Sequence, residues 1–234
     1  MLSHEQMKIA ERHGRNMPSV YVYEAPVRIW HWITVLAMTT LMATGYFIGA
    51  PFLQLPGEDP GMYLMGYVRF AHFAAGYVFA IAFAGRIYWA FAGNEHARQI
   101  FCPPLLSGAW WSEVMFEARW YFFLEDKPKK YVGHNPLAAT MMFFMFVLGS
   151  AFMIASGFAL YSEGAGAGHW SDAVFGWVLP FIGDSQLVHT LHRLGMWVLI
   201  TFVIVHVYAA VREDIMSRQS IVSTMISGWR SFRD

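Results

Sequence analysis

Four histidines lie inside long apolar stretches of the chain, where an ionisable side chain is costly and indicates function. Imidazole is the side chain that proteins use most often to bind a metal. By their depth in these stretches the histidines form two pairs: His31 with His206, hereafter the inner pair, and His72 with His192, the outer pair. Two pairs at two depths predict two metal sites rather than one.

The spacing of two of these histidines supports this pairing. His192 and His206 are fourteen residues apart, which on a helix places them about 40° apart in azimuth and about 21 Å apart along the axis. One helix can therefore offer one ligand to each of two stacked sites. Two imidazoles per site fill both axial positions of a haem iron, which favours electron transfer over oxygen chemistry. The sequence thus predicts two haem b groups. They would be held non-covalently, because the single cysteine, Cys102, cannot form a CxxCH attachment. No role is assigned to Cys102.

Arginines accompany the histidines along the chain. A guanidinium can bind a carboxylate through two charge-assisted hydrogen bonds, and each haem carries two propionates. The alternative is that these side chains extend to the membrane surface. The propionate candidates are Arg28, Arg69, Arg86 and Arg193.

Composition and hydropathy predict an all-α integral membrane protein. Charged residues make up 14% of the chain, against about 25% in soluble domains, and the zero net charge gives no support to nucleic-acid binding. Four apolar windows are each long enough to cross a bilayer as a helix. They cover residues 29–49, 66–92, 135–161 and 185–211 of a single membrane domain spanning 1–234, and predict a four-helix bundle.

The distribution of basic residues predicts the orientation. The loops 50–67 and 162–191 contain no Lys or Arg, whereas both terminal segments and the loop between the second and third windows contain several. The positive-inside rule then places both termini in the cytoplasm, as expected for a multi-pass protein of the cytoplasmic (inner) membrane. Residues 108–124 of the middle loop are rich in Trp but charged, which favours an interfacial helix on the cytoplasmic surface.

The segment GHNPLA at the start of the third window suggests a quinone site near the inner pair. His134 or Asn135 could donate a hydrogen bond to a quinone carbonyl and supply a proton on reduction. Alternatively, Asn135 caps the helix with Pro136 in its first turn, and the two roles are compatible.

Several longer strings resemble the cytochrome b subunit of membrane-bound uptake nickel–iron (NiFe) hydrogenases. The spaced histidines are shared with a wider group that includes formate dehydrogenase gamma subunits, but RIYWAFAGN and REDIMS are more specific to the hydrogenase branch. The strings are YEAPVRIWHW (Tyr23–Trp32), MGYVRFAHFAAGY (Met65–Tyr77), RIYWAFAGN (Arg86–Asn94), GHNP (Gly133–Pro136), SGFALYSE (Ser156–Glu163), LHRLGMW (Leu191–Trp197) and HVYAAVREDIMS (His206–Ser217).

This resemblance implies a dihaem membrane anchor in which both histidine pairs ligate haem iron. Its partners would be the iron–sulfur small subunit and the large subunit of a NiFe hydrogenase on the outer face, the quinone pool and the lipid bilayer. The chain would then be an electron-transfer subunit rather than a stand-alone enzyme, moving electrons from hydrogen to quinone.

Two alternative functions remain open from the sequence. The same anchor could serve another dehydrogenase, such as formate dehydrogenase. A transporter or metal channel could use the histidines directly, although their two depths are unlike a single binding site at the bilayer midplane.

Overall fold

The computed structural model describes residues 11–12, 18–51 and 63–232. Four of its helices are long and apolar enough to cross a membrane, which confirms the predicted fold class. They are Ala25–Gly49 (α1), Leu64–Ala92 (α2), Pro136–Ala165, which has three parts, and Ser185–Met216 (α8).

Most of these helices extend beyond the predicted windows. The first begins four residues before residue 29 and the last ends five residues after 211. Hydropathy marks only the part of a helix that lies in hydrocarbon, whereas the backbone hydrogen bonds continue through flanking turns that carry charges, such as Arg28, Arg212 and Glu213. The third helix begins one residue later than predicted because Asn135 is its N-cap.

The third crossing helix is not a regular α-helix along its length. It consists of Pro136–Met141 (α4), a π-helical segment Met142–Leu148, and Gly149–Ala165 (α5). A uniformly apolar sequence carries no periodic signal for this change, so it was not predicted. Segments of π-helix occur often at functional sites.

Shorter elements connect the crossing helices. The predicted interfacial helix is Gly108–Tyr121 (α3), with the Ser107 side chain accepting a hydrogen bond from the Trp110 backbone; it ends before 124, and Phe123 has a positive φ of 60°. The others are Trp170–Phe175 (α6), Val178–Ile182 (α7) and Ile221–Ser227 (α9).

A small antiparallel sheet was not predicted. It joins Glu11–Arg12 (β1), Pro18–Tyr21 (β2) and Trp229–Ser231 (β3) in that order, with Val20 opposite Arg230. Strands of two to four residues are too short for a recognisable alternation of side chains.

The chain divides into two compact units. The first unit contains the described residues of 1–31, 85–147 and 202–234, and the second those of 32–84 and 148–201. The inner pair therefore belongs to the first unit and the outer pair to the second. A core cluster in the first unit consists of Val20, Val22, Tyr23, Val27, Ala97 and Phe232.

Candidate functional site

The structure brings the two imidazoles of the inner pair together. The ring centres of His31 on α1 and His206 on α8 are 6.5 Å apart, with the planes at 49°. An atom ligated by both rings at metal–nitrogen distances of about 2 Å would hold the ring centres about 6.3 Å apart. The spacing of this pair therefore suits a shared metal.

Aromatic packing orients His206. The Phe202 ring, one helical turn earlier on α8, stacks on the imidazole with centres 5.5 Å apart and planes at 24°. Phe146, in the π-helical segment, stacks in turn on Phe202 at 5.7 Å. The stack restricts the rotation of the imidazole within the first unit.

In the outer pair, a threonine on α1 fixes the tautomer of His72. Thr44 Oγ1 donates its proton to the Thr40 carbonyl at 2.6 Å and lies 2.8 Å from His72 Nδ1. Because the hydroxyl proton is already used, Nδ1–H must donate to the hydroxyl oxygen. The lone pair of His72 Nε2 is then free to bind a metal.

A serine on α5 does the same for His192. Ser156 Oγ donates to the Phe152 carbonyl at 2.7 Å and lies 2.8 Å from His192 Nδ1. The same reasoning makes His192 Nδ1 the donor and leaves Nε2 available as a metal ligand. Both histidines of the outer pair are thus oriented by a hydroxyl on a neighbouring helix.

A glycine follows each of these hydroxyl residues and makes room for an imidazole. A Cβ on Gly45 would lie 3.3 Å from His72 Cε1, and one on Gly157 would lie 3.2 Å from His192 Cε1. The Met196 sulfur would lie 3.4 Å from the same Cβ of Gly45. His72 therefore lies near Met196 on α8. His192 lies one helical turn before Met196 on the same helix.

The four arginine candidates differ in their surroundings. Arg86 is buried and donates to the Ala97 carbonyl at 2.6 Å, while Arg28 donates to the Ile226 carbonyl. Arg86 Nη1 and Arg28 Nε are buried without a hydrogen-bond partner among the described residues. Such orphaned donors are costly and fit an anionic partner.

In the second unit, both arginine candidates are exposed. Arg69 and Arg193 lie at the surface, and Arg193 Nε would be 3.3 Å from a Cβ on Gly49. In the described part of this unit neither guanidinium has a buried atom lacking a hydrogen-bond partner. Their role as propionate ligands stays a prediction.

The first turn of the third crossing helix confirms the capping role of Asn135. Its Oδ1 accepts a hydrogen bond from the Ala138 backbone N–H at 2.7 Å, and Pro136 occupies the first turn. The neighbouring His134 lies with Nδ1 3.0 Å from the Tyr23 hydroxyl. The quinone contact of His134 and Asn135 stays a prediction.

His134 is a neutral hydrogen-bonding group. Burial, with the nearby guanidinium of Arg230, lowers the pKa of His134 to about 3. It is therefore uncharged at physiological pH, and it can donate or accept a hydrogen bond. The role of His134 as a proton source on quinone reduction stays a prediction.

The GHNP segment is held by the C-terminal strand. Arg230 Nη1 donates to the Gly133 carbonyl at 2.5 Å and to the Tyr131 carbonyl at 3.2 Å. Gly133 has a φ of 85°, which glycine adopts without steric cost. Nothing along the chain indicates which loop Arg230 contacts, so from the sequence this residue contributes only a charge to the predicted orientation.

Thr44 and Ser156 were also missed, although a local signal exists. Each is a hydroxyl residue followed by glycine, Thr44–Gly45 and Ser156–Gly157, inside an otherwise apolar crossing helix. In each pair the hydroxyl hydrogen-bonds the imidazole of a neighbouring helix, and the glycine lets that ring approach the helix backbone closely.

Comparison with known proteins identifies a family that agrees with the apolar crossing helices and their intramembrane histidines. A family model described as prokaryotic cytochrome b561 matches residues 22–228. The chain therefore belongs to the prokaryotic cytochrome b561 family. It is an integral membrane electron-transfer cytochrome, and a b-type cytochrome contains haem b.

Relatives from several bacteria are similar over nearly the full chain. A protein of Azotobacter vinelandii is 61% identical over 220 residues, with 94% of this chain and 92% of the relative covered. A protein of Cupriavidus necator is 58% identical over 221 residues, covering 94% and 91%. Both are named "Probable Ni/Fe-hydrogenase B-type cytochrome subunit". One from Escherichia coli K12, 50% identical over 225 residues and covering 93% of each chain, is named "Probable Ni/Fe-hydrogenase 1 B-type cytochrome subunit".

Proposed function

We propose that this chain is a dihaem cytochrome b that carries electrons from a NiFe hydrogenase to membrane quinone. The observation that carries the proposal is the placement of the four intramembrane histidines: His31 and His206 lie in one unit with ring centres 6.5 Å apart, and His72 and His192 lie in the other unit. The names of the relatives favour a hydrogenase over formate dehydrogenase as the electron donor.

The residues present fit two bis-histidine haem sites. In the outer pair, both Nδ1 atoms are hydrogen-bonded to hydroxyls, which supports Nε2 of His72 and of His192 as iron ligands. In the inner pair, the ring separation of 6.5 Å suits iron bound between His31 and His206. Haem iron supplies a one-electron redox couple, and two imidazole ligands keep it closed to other ligands.

Arginines of the first unit are suited to hold the propionates of the inner haem. The unpartnered atoms Arg86 Nη1 and Arg28 Nε each need a hydrogen-bond acceptor, and a carboxylate provides one. Arg69 and Arg193 are the candidates for the outer haem, where exposed guanidiniums could reach its propionates from the surface.

The donor and acceptor would meet the chain on opposite sides of the cytoplasmic membrane. With both termini in the cytoplasm, the outer pair faces the iron–sulfur small subunit of a hydrogenase, whose large subunit oxidises hydrogen on the outer face. The quinone is reduced near the inner pair, where His134 and Asn135 are candidate hydrogen-bond partners. Tyr23 positions His134 through the 3.0 Å contact with Nδ1.

The test is a reduced-minus-oxidised visible spectrum, with haem quantified per chain, for the wild type, H192A and H206A. We expect two low-spin b haems in the wild type and one in each variant. In the complete hydrogenase complex, each variant should lose hydrogen-to-quinone activity but retain hydrogen-driven reduction of an artificial dye.

H189A is a matched control, because His189 lies on the same helix but is exposed and bonded to the Ser185 carbonyl at 3.0 Å. Two haems remaining in H192A, or unchanged hydrogen-to-quinone activity, would contradict the proposed ligands.

A further inference from the structure

A buried acid on α3 has no place in electron transfer or haem ligation. Glu117 is 2% exposed, and its Oε1 has no hydrogen-bond partner within the described residues. The other buried glutamate, Glu213, is well satisfied by contrast: it accepts from Trp120 Nε1 at 2.7 Å and pairs with Arg212 at 2.9 Å. Because an unpaired buried carboxylate is costly, Glu117 favours a state that carries a proton.

A polar connection leads from Glu117 to the surface of the first unit. Tyr131 interacts with Glu117 through its hydroxyl group and donates to Glu113 Oε2 at 2.8 Å. The Glu113 side chain is 38% exposed and pairs with Lys129 at 2.8 Å. A carboxylate, a phenol and a buried carboxyl therefore lie in series between water and the interior.

In the other direction, the helix that carries Glu117 borders the GHNP segment. Its helix packs against the start of the third crossing helix, where Trp110 Nε1 donates to Thr140 Oγ1 at 3.1 Å. One turn after Glu117, the Tyr121 side chain hydrogen-bonds Asn135, the residue next to His134. Tyr121 therefore links the helix of the buried acid to the residues proposed to contact quinone.

We propose that Glu117 is the proton donor for quinone reduction at the inner site and is reloaded from the cytoplasm through Glu113 and Tyr131. This inference rests on the proposed function. Each quinone takes up two electrons, delivered by the cytochrome, and two protons. For each proton, the Glu117 O–H bond breaks as an O–H bond to a quinone oxygen forms by way of the polar groups between them. The carboxylate left behind then takes a proton from the aqueous phase.

The electrostatics of the site agree with this role. Burial raises the pKa of Glu117 to about 7; the interaction with the Tyr131 hydroxyl opposes the shift, and the carboxylates of Glu213 and Glu113 add to it. The carboxyl is therefore protonated below about pH 7 and loses its proton above it, whereas His134 is neutral throughout this range. The titratable and charged groups around Glu117 are Glu113 and Tyr121 on its own helix, Lys129 and Tyr131 in the following loop, and Arg212 and Glu213 on α8.

The test uses the complete hydrogenase–cytochrome complex in liposomes. Hydrogen-driven reduction of a short-chain quinone is measured from acid to alkaline pH in the wild type, E117Q, E117D and Y131F. Wild-type activity should fall as the pH rises through about 7. E117Q should reduce the rate by on the order of tenfold or more and remove this inflection, while haem content and hydrogen-driven haem reduction stay at wild-type levels.

E117D should recover part of the activity because it restores a titratable carboxyl. Y131F keeps Glu117 but breaks its connection to Glu113, so it should slow turnover chiefly at alkaline pH, where reloading is hardest. E125Q is the matched control: Glu125 is an acid just beyond the end of α3 that pairs with Arg119 at 2.8 Å, outside the series, and its variant should behave as the wild type.

A wild-type rate and pH profile in E117Q would overturn the inference. Equal losses in E117Q and E117D accompanied by loss of haem would assign Glu117 a packing role and would also overturn it. Failure of the proposed function itself looks different: the wild-type complex would then reduce its haem with hydrogen but would not reduce quinone.

Discussion

The outer pair takes its orientation from hydroxyl groups on neighbouring helices, whereas the inner pair lies in a unit that contains buried charged residues. Among the described residues, all buried arginines and glutamates belong to the first unit: Arg86, Glu117, Arg212, Glu213 and Arg230. The buried polar residues described in the second unit are all serines: Ser150, Ser156, Ser162 and Ser171.

This difference separates two kinds of chemistry. Electron transfer between closed iron sites needs fixed ligands and a dry surrounding, and hydroxyl–imidazole bonds provide the fixing without a net charge. Quinone reduction also consumes protons, and handling protons requires ionisable groups despite their desolvation cost. If the proposed function holds, the desolvation cost of the buried ionisable groups falls on the first unit because protons enter there.

Crowding the outer pair should have the largest effect. In G157L, a side chain would begin 3.2 Å from His192 Cε1, so the imidazole could not keep its position. We expect haem per chain to fall from two to one, with the inner haem retained, as measured by haem extraction and the reduced-minus-oxidised spectrum.

G164L is the control for this variant, because a Cβ on Gly164 meets nothing within 4 Å. Full haem content in G157L, or loss of both haems, would break the assignment of the outer pair to a site of its own.

Removing a hydroxyl acceptor should have a smaller effect, again limited to the outer haem. T44V and S156A each remove the hydroxyl oxygen that accepts from an Nδ1–H, which makes the imidazole a weaker donor to iron. We expect the midpoint potential of the outer haem to rise and its affinity to fall on the order of 10-fold, as measured by redox titration and haem retention during dilution.

T201V serves as the comparison, since Thr201 Oγ1 makes a similar bond to the Trp197 carbonyl at 2.9 Å but is exposed on the helix surface. A shift in the potential of the inner haem instead would reverse the distinction between the two pairs.

The smallest effect is expected at Tyr23 in the first unit. Burial raises the pKa of Tyr23, so its phenol stays protonated and keeps its hydrogen bond to His134. Y23F removes one hydrogen bond, which has a net value of about 1 kcal/mol, and should raise the KM for quinone a few-fold. Both haems and the rate of haem reduction should stay unchanged.

Y21F on β2 is the matched variant, because the Tyr21 ring packs on Trp229 at 5.3 Å and is partly exposed. An unaltered KM in Y23F would remove the support that the Tyr23 contact gives to His134 as a quinone ligand.

Elements of the fold that depend on local chemistry could be predicted from the sequence. The four crossing helices followed from apolar length, and the cap at Asn135 followed from an Asn–Pro pair before an apolar run. The exact ends, the π-helical segment and the three short strands could not be predicted, because hydropathy is uniform or the elements are too short for a pattern.

For the candidate site, the sequence determined which histidines are expensive to bury and that His192 and His206 share one face of a helix, since helical periodicity is a property of the chain itself. Only the tertiary structure decided which hydroxyls orient the outer pair, which guanidinium atoms lack partners and where Glu117 lies. Those facts depend on side chains distant in sequence, such as Thr44 with His72 or Arg230 with Gly133. Hydrogen bonds act over about 3 Å and require a specific direction, so such contacts arise only when helices pack.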